Sequence, residues 1–291
     1  MNMIVSPDIY TSHFGLSERP FTLVPDPGYL FWSPAHRDAY AMLEYGVVTR
    51  APITLMTGGI GVGKTTLVNK LVASLGADVT VGLVSSAARD RSQMLRWILQ
   101  ALGQPLPEAA PGGEEVALFD AFQAFLIAEY ARGRRVVLIQ DEAQNLGLDA
   151  LEELRMLTNI NSGKDELLQL VLVGQPELRA TIARPEMRQL AQRVAVSTHV
   201  PALDRAGVRA YIAHRLTVAG GTGNIISDAA ADLIRDVTQG VPRLVNQLCD
   251  LALIYAFSAS RDRVKRDIVL QVLDDGAYFA AGRPVPLELM E

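Results

Sequence analysis

The run "LMTGGIGVGKTTLVNKL", residues 55–71, fits the spacing G-x-x-x-x-G-K-[ST] through Gly58, Gly63, Lys64 and Thr65. Main-chain N–H groups can close around a phosphate only where no Cβ intrudes, and Gly59 and Gly61 loosen the same stretch further. The expected phosphate-binding segment is therefore Gly58, Gly59, Ile60, Gly61, Val62, Gly63, Lys64, Thr65 and Thr66. An apolar helical pattern follows at once, so the positive end of a helix dipole faces the same anion. Lys64 supplies a mobile positive charge for the β- and γ-phosphates, and the Thr65 hydroxyl an oxygen ligand for Mg²⁺. The plainer reading is a glycine turn with a solvated lysine. A strand before the loop and a helix after it speak against that.

A phosphate loop alone does not separate kinase, GTPase and ATPase. The segment "RRVVLIQDEAQNL" narrows the choice, being an apolar strand that ends in Asp141 and Glu142. Carboxylates at the carboxyl end of a strand emerge where open α/β sheets bind their ligands. Asp141 would hold Mg²⁺ through its water shell, and Glu142 would orient or deprotonate the attacking water. A solvated acidic pair is the alternative. A glutamate beside the metal aspartate favours hydrolysis over kinase chemistry, and the absence of an N-K-x-D run favours ATP over GTP.

These residues need a sheet to carry them. Short apolar runs recur at 52–58, 79–85, 135–141, 168–174 and 194–200, as strands buried on both faces should read. Helical patterns at 64–75, 91–102, 115–131 and 148–161 alternate with them, which predicts a parallel sheet covered on both faces. Residues 1 to about 32 lack any period and read as an ordered, irregular arm on the main domain, followed by a helix capped by Ser33 with Pro34 in its first turn. The loop 103–115 reads as a flexible excursion. After Pro201 the strands stop and four helical segments follow, with Gly240 closing the second and Pro242 opening the third. The expected division is 1–49 for arm and first helix, 50–202 for a phosphate-loop α/β core, 203–275 for a helical lid and 276–291 for a mobile tail.

Bulk properties exclude several classes. Hydrophobic residues make up 49% and charged ones 20% of the 291, as in ordinary globular proteins. No apolar stretch approaches the length of a membrane span, and the start does not read as a secretory signal, so a cytoplasmic location is expected. Cys249, the one cysteine, reads as a small core residue. With no Cys/His cluster, a zinc site is not expected. A net charge of −5 gives no global reason for nucleic-acid binding, although basic residues gather at 132–135 and 261–266.

Further features resemble the AAA+ branch of the phosphate-loop ATPases. "LVLVGQPELR" ends a strand at Gln175, where that superfamily keeps a polar sensor of the γ-phosphate; a turn glutamine bonding its own backbone is the alternative. "GVPRLVNQL" puts Arg243 at the start of a lid helix, matching the sensor-2 arginine. In "RPEMRQLAQRVAV", Arg188 and Arg193 precede the last strand, and Arg193 in "QRV" resembles the finger that reaches a neighbouring subunit's ATP. Together with the opening "FGLSERPFTLVPDPGYLFWSPAHRDAYAMLEYGV" and "LIQDEAQNL", the chain resembles the general secretion pathway protein A-type (ExeA-like) AAA+ ATPases over nearly its whole length. Secretion members of that family carry a membrane span and a peptidoglycan-binding module after the ATPase. This sequence stops after the lid, which argues against a direct cell-wall role. More distant relatives are transposition regulators of the TnsC/TniB kind.

The resemblance implies a Mg²⁺-dependent ATPase with ATP between core and lid, bridged by Arg243. A neighbour's Arg193 would sense the nucleotide in a ring or filament of like subunits, acting on a protein partner in secretion or exopolysaccharide assembly. Adenine is expected near Val24 or Pro25. Two other classes stay open: an ATP-gated DNA-binding regulator of transposition, using arginines such as Arg132, Arg134 and Arg135, and a nucleotide-binding scaffold that never turns over.

Overall fold

The computed structural model describes residues 9–24, 26–85, 90–108 and 113–279. Pro25, positions 109–112 of the loop 103–115 and positions 280–291 of the tail lie outside these. The chain divides into two compact units, one of Pro34–Gly59 and Leu67–Val200, the other of Met1–Ser33, Ile60–Thr66 and Pro201–Glu291.

The first unit is α/β. In chain order its elements are α1 (Pro34–Val48), β1 (Ile53–Gly58), α2 (Lys64–Ser74, whose first turn belongs to the other unit), β2 (Val79–Val84), α3 (Arg91–Ala101), α4 (Glu114–Ala131), β3 (Arg135–Gln140) and α5 (Leu148–Leu157). There follow the two-residue strands β4 (Asn161–Ser162) and β5 (Asp165–Glu166), then β6 (Leu168–Gly174), α6 (Pro176–Ile182), α7 (Arg188–Arg193) and β7 (Val194–Val200). The main sheet is parallel with strand order β2-β3-β6-β1-β7. Its interior strands are the mostly apolar ones: every residue of β1 and β6 is buried, Thr54, Thr57 and Gln169 included. The edge strand β7, "VAVSTHV", mixes buried and exposed positions and carries Ser197, Thr198 and His199. Thus the five apolar runs read from the sequence are the five strands of the sheet, and the phosphate-loop fold with flanking helices is observed.

Where β3 starts is fixed by a buried charge. Glu129, 2% exposed near the end of α4, accepts from Arg134 Nε at 2.7 Å, from Arg132 at 3.0 Å and from the Thr80 hydroxyl of β2. Bonding from Arg134 holds its carboxyl down at about 2, with Thr80 and Arg132 adding to the effect against the opposing cost of burial. This ties α4, β2 and the entry to β3 together.

The second unit is helical: α8 (Arg205–Val218), α9 (Asp228–Thr238), α10 (Pro242–Ser258) and α11 (Arg266–Asp274). Asp204 and Ser227 cap α8 and α9 by accepting from Gly207 N and Ala230 N. The arm belongs here, not with the α/β core where the sequence reading put it. Tyr10, Phe14, Phe21 and Tyr29 are buried in one cluster with Leu248 and Leu253 of α10. Polar groups lock it down: Arg215 Nε donates to Pro20 O at 2.5 Å, Asn246 Nδ2 to Thr22 O at 3.3 Å, and Asp250 accepts from Tyr10 and Arg19. An irregular segment with no period of its own is thereby ordered by a helical core that supplies its backbone partners. Cys249 is fully buried in this core, and burial pushes its thiol well up. Tyr278, inside the stretch read as a mobile tail, is also buried there. No helix among the described residues is long and apolar enough to cross a membrane.

Candidate functional site

The chain leaves β1 at Gly58 and enters α2 at Lys64. Between them Gly61 and Gly63 take φ of +76° and +105°, a region L side chains rarely enter. Gly61 is fixed for a second reason. Arg243 N, in the first turn of α10, donates to Gly61 O at 3.2 Å, and a Cβ at Gly61 would stand 2.7 Å from Arg243 Cβ. Glycine therefore lets α10 approach the loop backbone, with Arg243 in the first turn of that helix. Val62 is buried, Ile60 is largely exposed, and Lys64 is 6% exposed. Thr65 follows as an exposed residue in the first turn of α2.

At the carboxyl end of the sheet, β3, β6 and β1 lie side by side in parallel register, Gln140 facing Leu172 and Thr57 facing Gly174. They deliver Asp141, Gln175 and Gly58 to one edge. Asp141 N donates to Val84 O at 2.8 Å, carrying the β2–β3 ladder one residue further and leaving its side chain buried. Its Oδ1 accepts from Glu142 N at 2.8 Å. Glu142 is left-handed, with φ 51° and ψ 35°, a conformation that costs a non-glycine residue about 1 kcal/mol or more and persists only when its surroundings hold it.

The Glu142 backbone is held by its own N–H on Asp141 Oδ1 and by Asn145 N donating to its carbonyl at 3.0 Å, while its carboxylate is met by Gln144, a residue that sequence reasoning missed. Its Nε2 donates to Glu142 Oε2 at 2.5 Å, and its Oε1 accepts from Gln175 N at 2.9 Å. A single amide thus joins the acid after β3 to the residue after β6. The sequence "DEAQ" shows a polar residue two places after Glu142 but not what it joins, which is a tertiary matter. The Gln175 side chain is half-buried and makes no capping bond to α6, so it is not spent on its own turn.

Arg193 stands elsewhere. Val194 pairs with Ile53 at the amino end of β1, so Arg193 lies at the opposite edge of the sheet from Asp141 and Gln175. Its Nη1 donates to Thr158 Oγ1 at 2.8 Å and Thr158 O at 3.2 Å, with Glu166 3.7 Å away. Arg188, opening α7, is exposed. Val24 is 75% exposed and Pro25 lies outside the described residues. The basic run 132–135 is engaged with acids, Arg132 and Arg134 with Glu129 and Arg135 with Asp78.

Residues 48–182 match a family model described as an AAA domain. Over 256 residues, 88% of this chain, the sequence is 38% identical to general secretion pathway protein A of Aeromonas hydrophila. Residues 48–182 thus carry an AAA domain, and the chain is similar to general secretion pathway protein A. It spans about half the length of that relative, the match covering 46% of it. Solved structures share the AAA fold. The ORC2 protein of Aeropyrum pernix aligns with a TM-score of 0.65 at 20% identity, covering 88% of this chain and 71% of that one. Cdc6p of Pyrobaculum aerophilum aligns at 0.63 and 16%, covering 87% and 71%. The RuvB Holliday junction branch migration motor of Thermotoga maritima aligns at 0.51 and 20%, covering 85% and 70%. Identities this low carry the fold and nothing more.

Proposed function

We propose that this AAA protein binds ATP with Mg²⁺ and hydrolyses it, and that its ATP-bound form assembles with further copies of itself to act as a switch on a secretion or envelope-assembly partner. The observation that carries the reading is the strand-end group, a glutamate strained into the left-handed region and bonded through Gln144 to the end of β6, the strand beside β1. Strain kept at such a place marks a working site better than an acidic pair alone would.

The residues fit the nucleotide and its metal. The backbone of Gly61 and Gly63 is shaped for an anion that a Cβ would obstruct, and buried Lys64 supplies the cation for it. Thr65 and Asp141 would be the protein oxygens offered to Mg²⁺, which keeps several waters and takes one or two such ligands beside the phosphates. When bound, the metal neutralises charge on the phosphates. Glu142 orients or deprotonates the attacking water, Gln175 reads the γ-phosphate, and Arg243, bonded to Gly61, reads ATP. An arginine reaching a neighbouring subunit comes from the opposite edge of the sheet. Arg193 can serve only by leaving Thr158 and Glu166, whereas Arg188 is already exposed. The cytoplasm, where ATP is supplied, is the compartment this chemistry asks for.

Phosphate release from ATP and Mg²⁺, followed together with light scattering, tests this reading. The expected result is steady release with a rise in mass when ATP is added. Tight binding without release would make the chain a scaffold. Salt-sensitive, ATP-dependent DNA retardation would select the transposition-regulator reading, which pairing of the 132–135 arginines with Glu129 and Asp78 now weakens.

A further inference from the structure

We infer that Gln144 is a positioning residue that couples the Glu142 carboxylate to the end of β6, so that the water-activating acid and the Gln175 segment move as one. The inference rests on the ATPase reading for its consequence, but its geometry stands apart from it. One planar amide is used in opposite senses at its two ends: Nε2 donates to Glu142 Oε2 at 2.5 Å, while Oε1 accepts the Gln175 N–H at 2.9 Å. A rigid amide bonded at both ends transmits displacement, because neither bond can shift without the other. Its acceptor end is well anchored, since every residue of β6 is buried.

Gly174 shows how closely the amide is seated. A Cβ there would lie 2.8 Å from Gln144 Oε1, 2.8 Å from Leu178 Cδ2 and 3.3 Å from Gln144 N. The last residue of β6 must therefore be small for Gln144 to reach across. At the other end the left-handed turn at Glu142, with its N–H on Asp141 Oδ1, directs the carboxylate back over the strand end toward that amide. A ligand that draws on Gln175 thus changes the donor available to Glu142. The coupling is local and needs no movement of the sheet.

The test separates the two bonds. Gln144→Ala removes both and is expected to lower kcat by about 30-fold while leaving the Kd for ATP within about twofold. Gln144→Glu, an isostere that keeps the acceptor for Gln175 N–H but opposes Glu142 with a second carboxylate, should lose at least as much kcat. It also serves where the alanine variant fails to fold. Gly174→Ala, which crowds the amide, should lower kcat in the parent chain. A second arm needs no turnover. Hydrogen exchange of the Gln175 backbone amide, read by NMR, should speed up about tenfold in Gln144→Ala and stay slow in Gln144→Glu. It should respond to Glu142→Ala only while Gln144 is present. Wild-type kcat in Gln144→Ala or a Gln175 amide indifferent to Gln144 would each overturn the inference. If the parent chain hydrolyses no ATP, the ATPase reading fails while the amide arm still decides this one.

Discussion

Two polar networks in this molecule are built alike and differ in where they end. In the helical unit, Arg215 donates to Pro20 O and to the Tyr211 hydroxyl, stacks 4.6 Å over the Tyr29 ring, and Tyr211 passes the chain on to Asn246 and Thr22 O. That network closes on backbone carbonyls of the arm and fastens it to the helices. In the α/β unit, the chain Gln175–Gln144–Glu142 starts from a backbone N–H and ends on a carboxylate at the strand edge, beside a strained backbone. The first arrangement is structural, since a buried guanidinium is tolerated only when its donors are met. The second holds an acid in one place without fully burying it, which leaves the carboxylate within reach of a ligand on the proposed reading. Polarity alone does not mark a site; the terminus of the network does.

The contrast can be broken at either end. The largest effect is expected at the loop. Lys64→Ala should weaken ATP binding by about 10³-fold, seen by calorimetry, with the fold intact, because a buried cation facing phosphates is worth several kcal/mol. Next, Arg215→Ala should cost about 3 kcal/mol of stability through the unmet partners it leaves behind, measured by denaturant unfolding, with little change in ATP affinity per folded molecule. Loss of ATP affinity equal to that of Lys64→Ala would erase the distinction between the two networks.

A smaller effect should appear at Glu129. Its folded-state carboxyl is held at about 2, below the ordinary 4.5, so the stabilisation it brings is complete above that ordinary value and is lost as pH falls toward 2. Glu129→Gln should cost about 2 kcal/mol near neutral pH and flatten the acid limb of the stability curve. An unchanged acid limb would show that the pairing with Arg134, Arg132 and Thr80 is spent on something other than stability.

Much of this was legible beforehand, and unevenly. Strands read at 52–58, 79–85, 135–141, 168–174 and 194–200 fall within one residue of those observed, because burial on both faces leaves a continuous apolar run as its signature. The four helices after Pro201 were equally plain from their caps and period. The short helices α6 and α7 were not, since six or seven residues hold too little period to see. The arm was misplaced because its partners, Arg215, Asn246 and Asp250, lie some two hundred positions away and nothing local points to them. The glycine spacing, Lys64, Asp141 and Glu142 could be picked out as candidates because main-chain access to an anion and a carboxylate at a strand end leave marks in residue type. Gln144 was not readable, because a side-chain amide carries no sign of which two groups it will join.

The decisive comparison is between Glu142→Gln and the parent chain in a single-turnover assay with ATP and Mg²⁺. If Glu142 activates the attacking water, the variant binds ATP as tightly as the parent and releases phosphate more slowly by about 10²-fold or more. Phosphate release at the parent's rate would remove Glu142 from the chemistry, and with it the claim that the strained turn after β3 exists to serve hydrolysis.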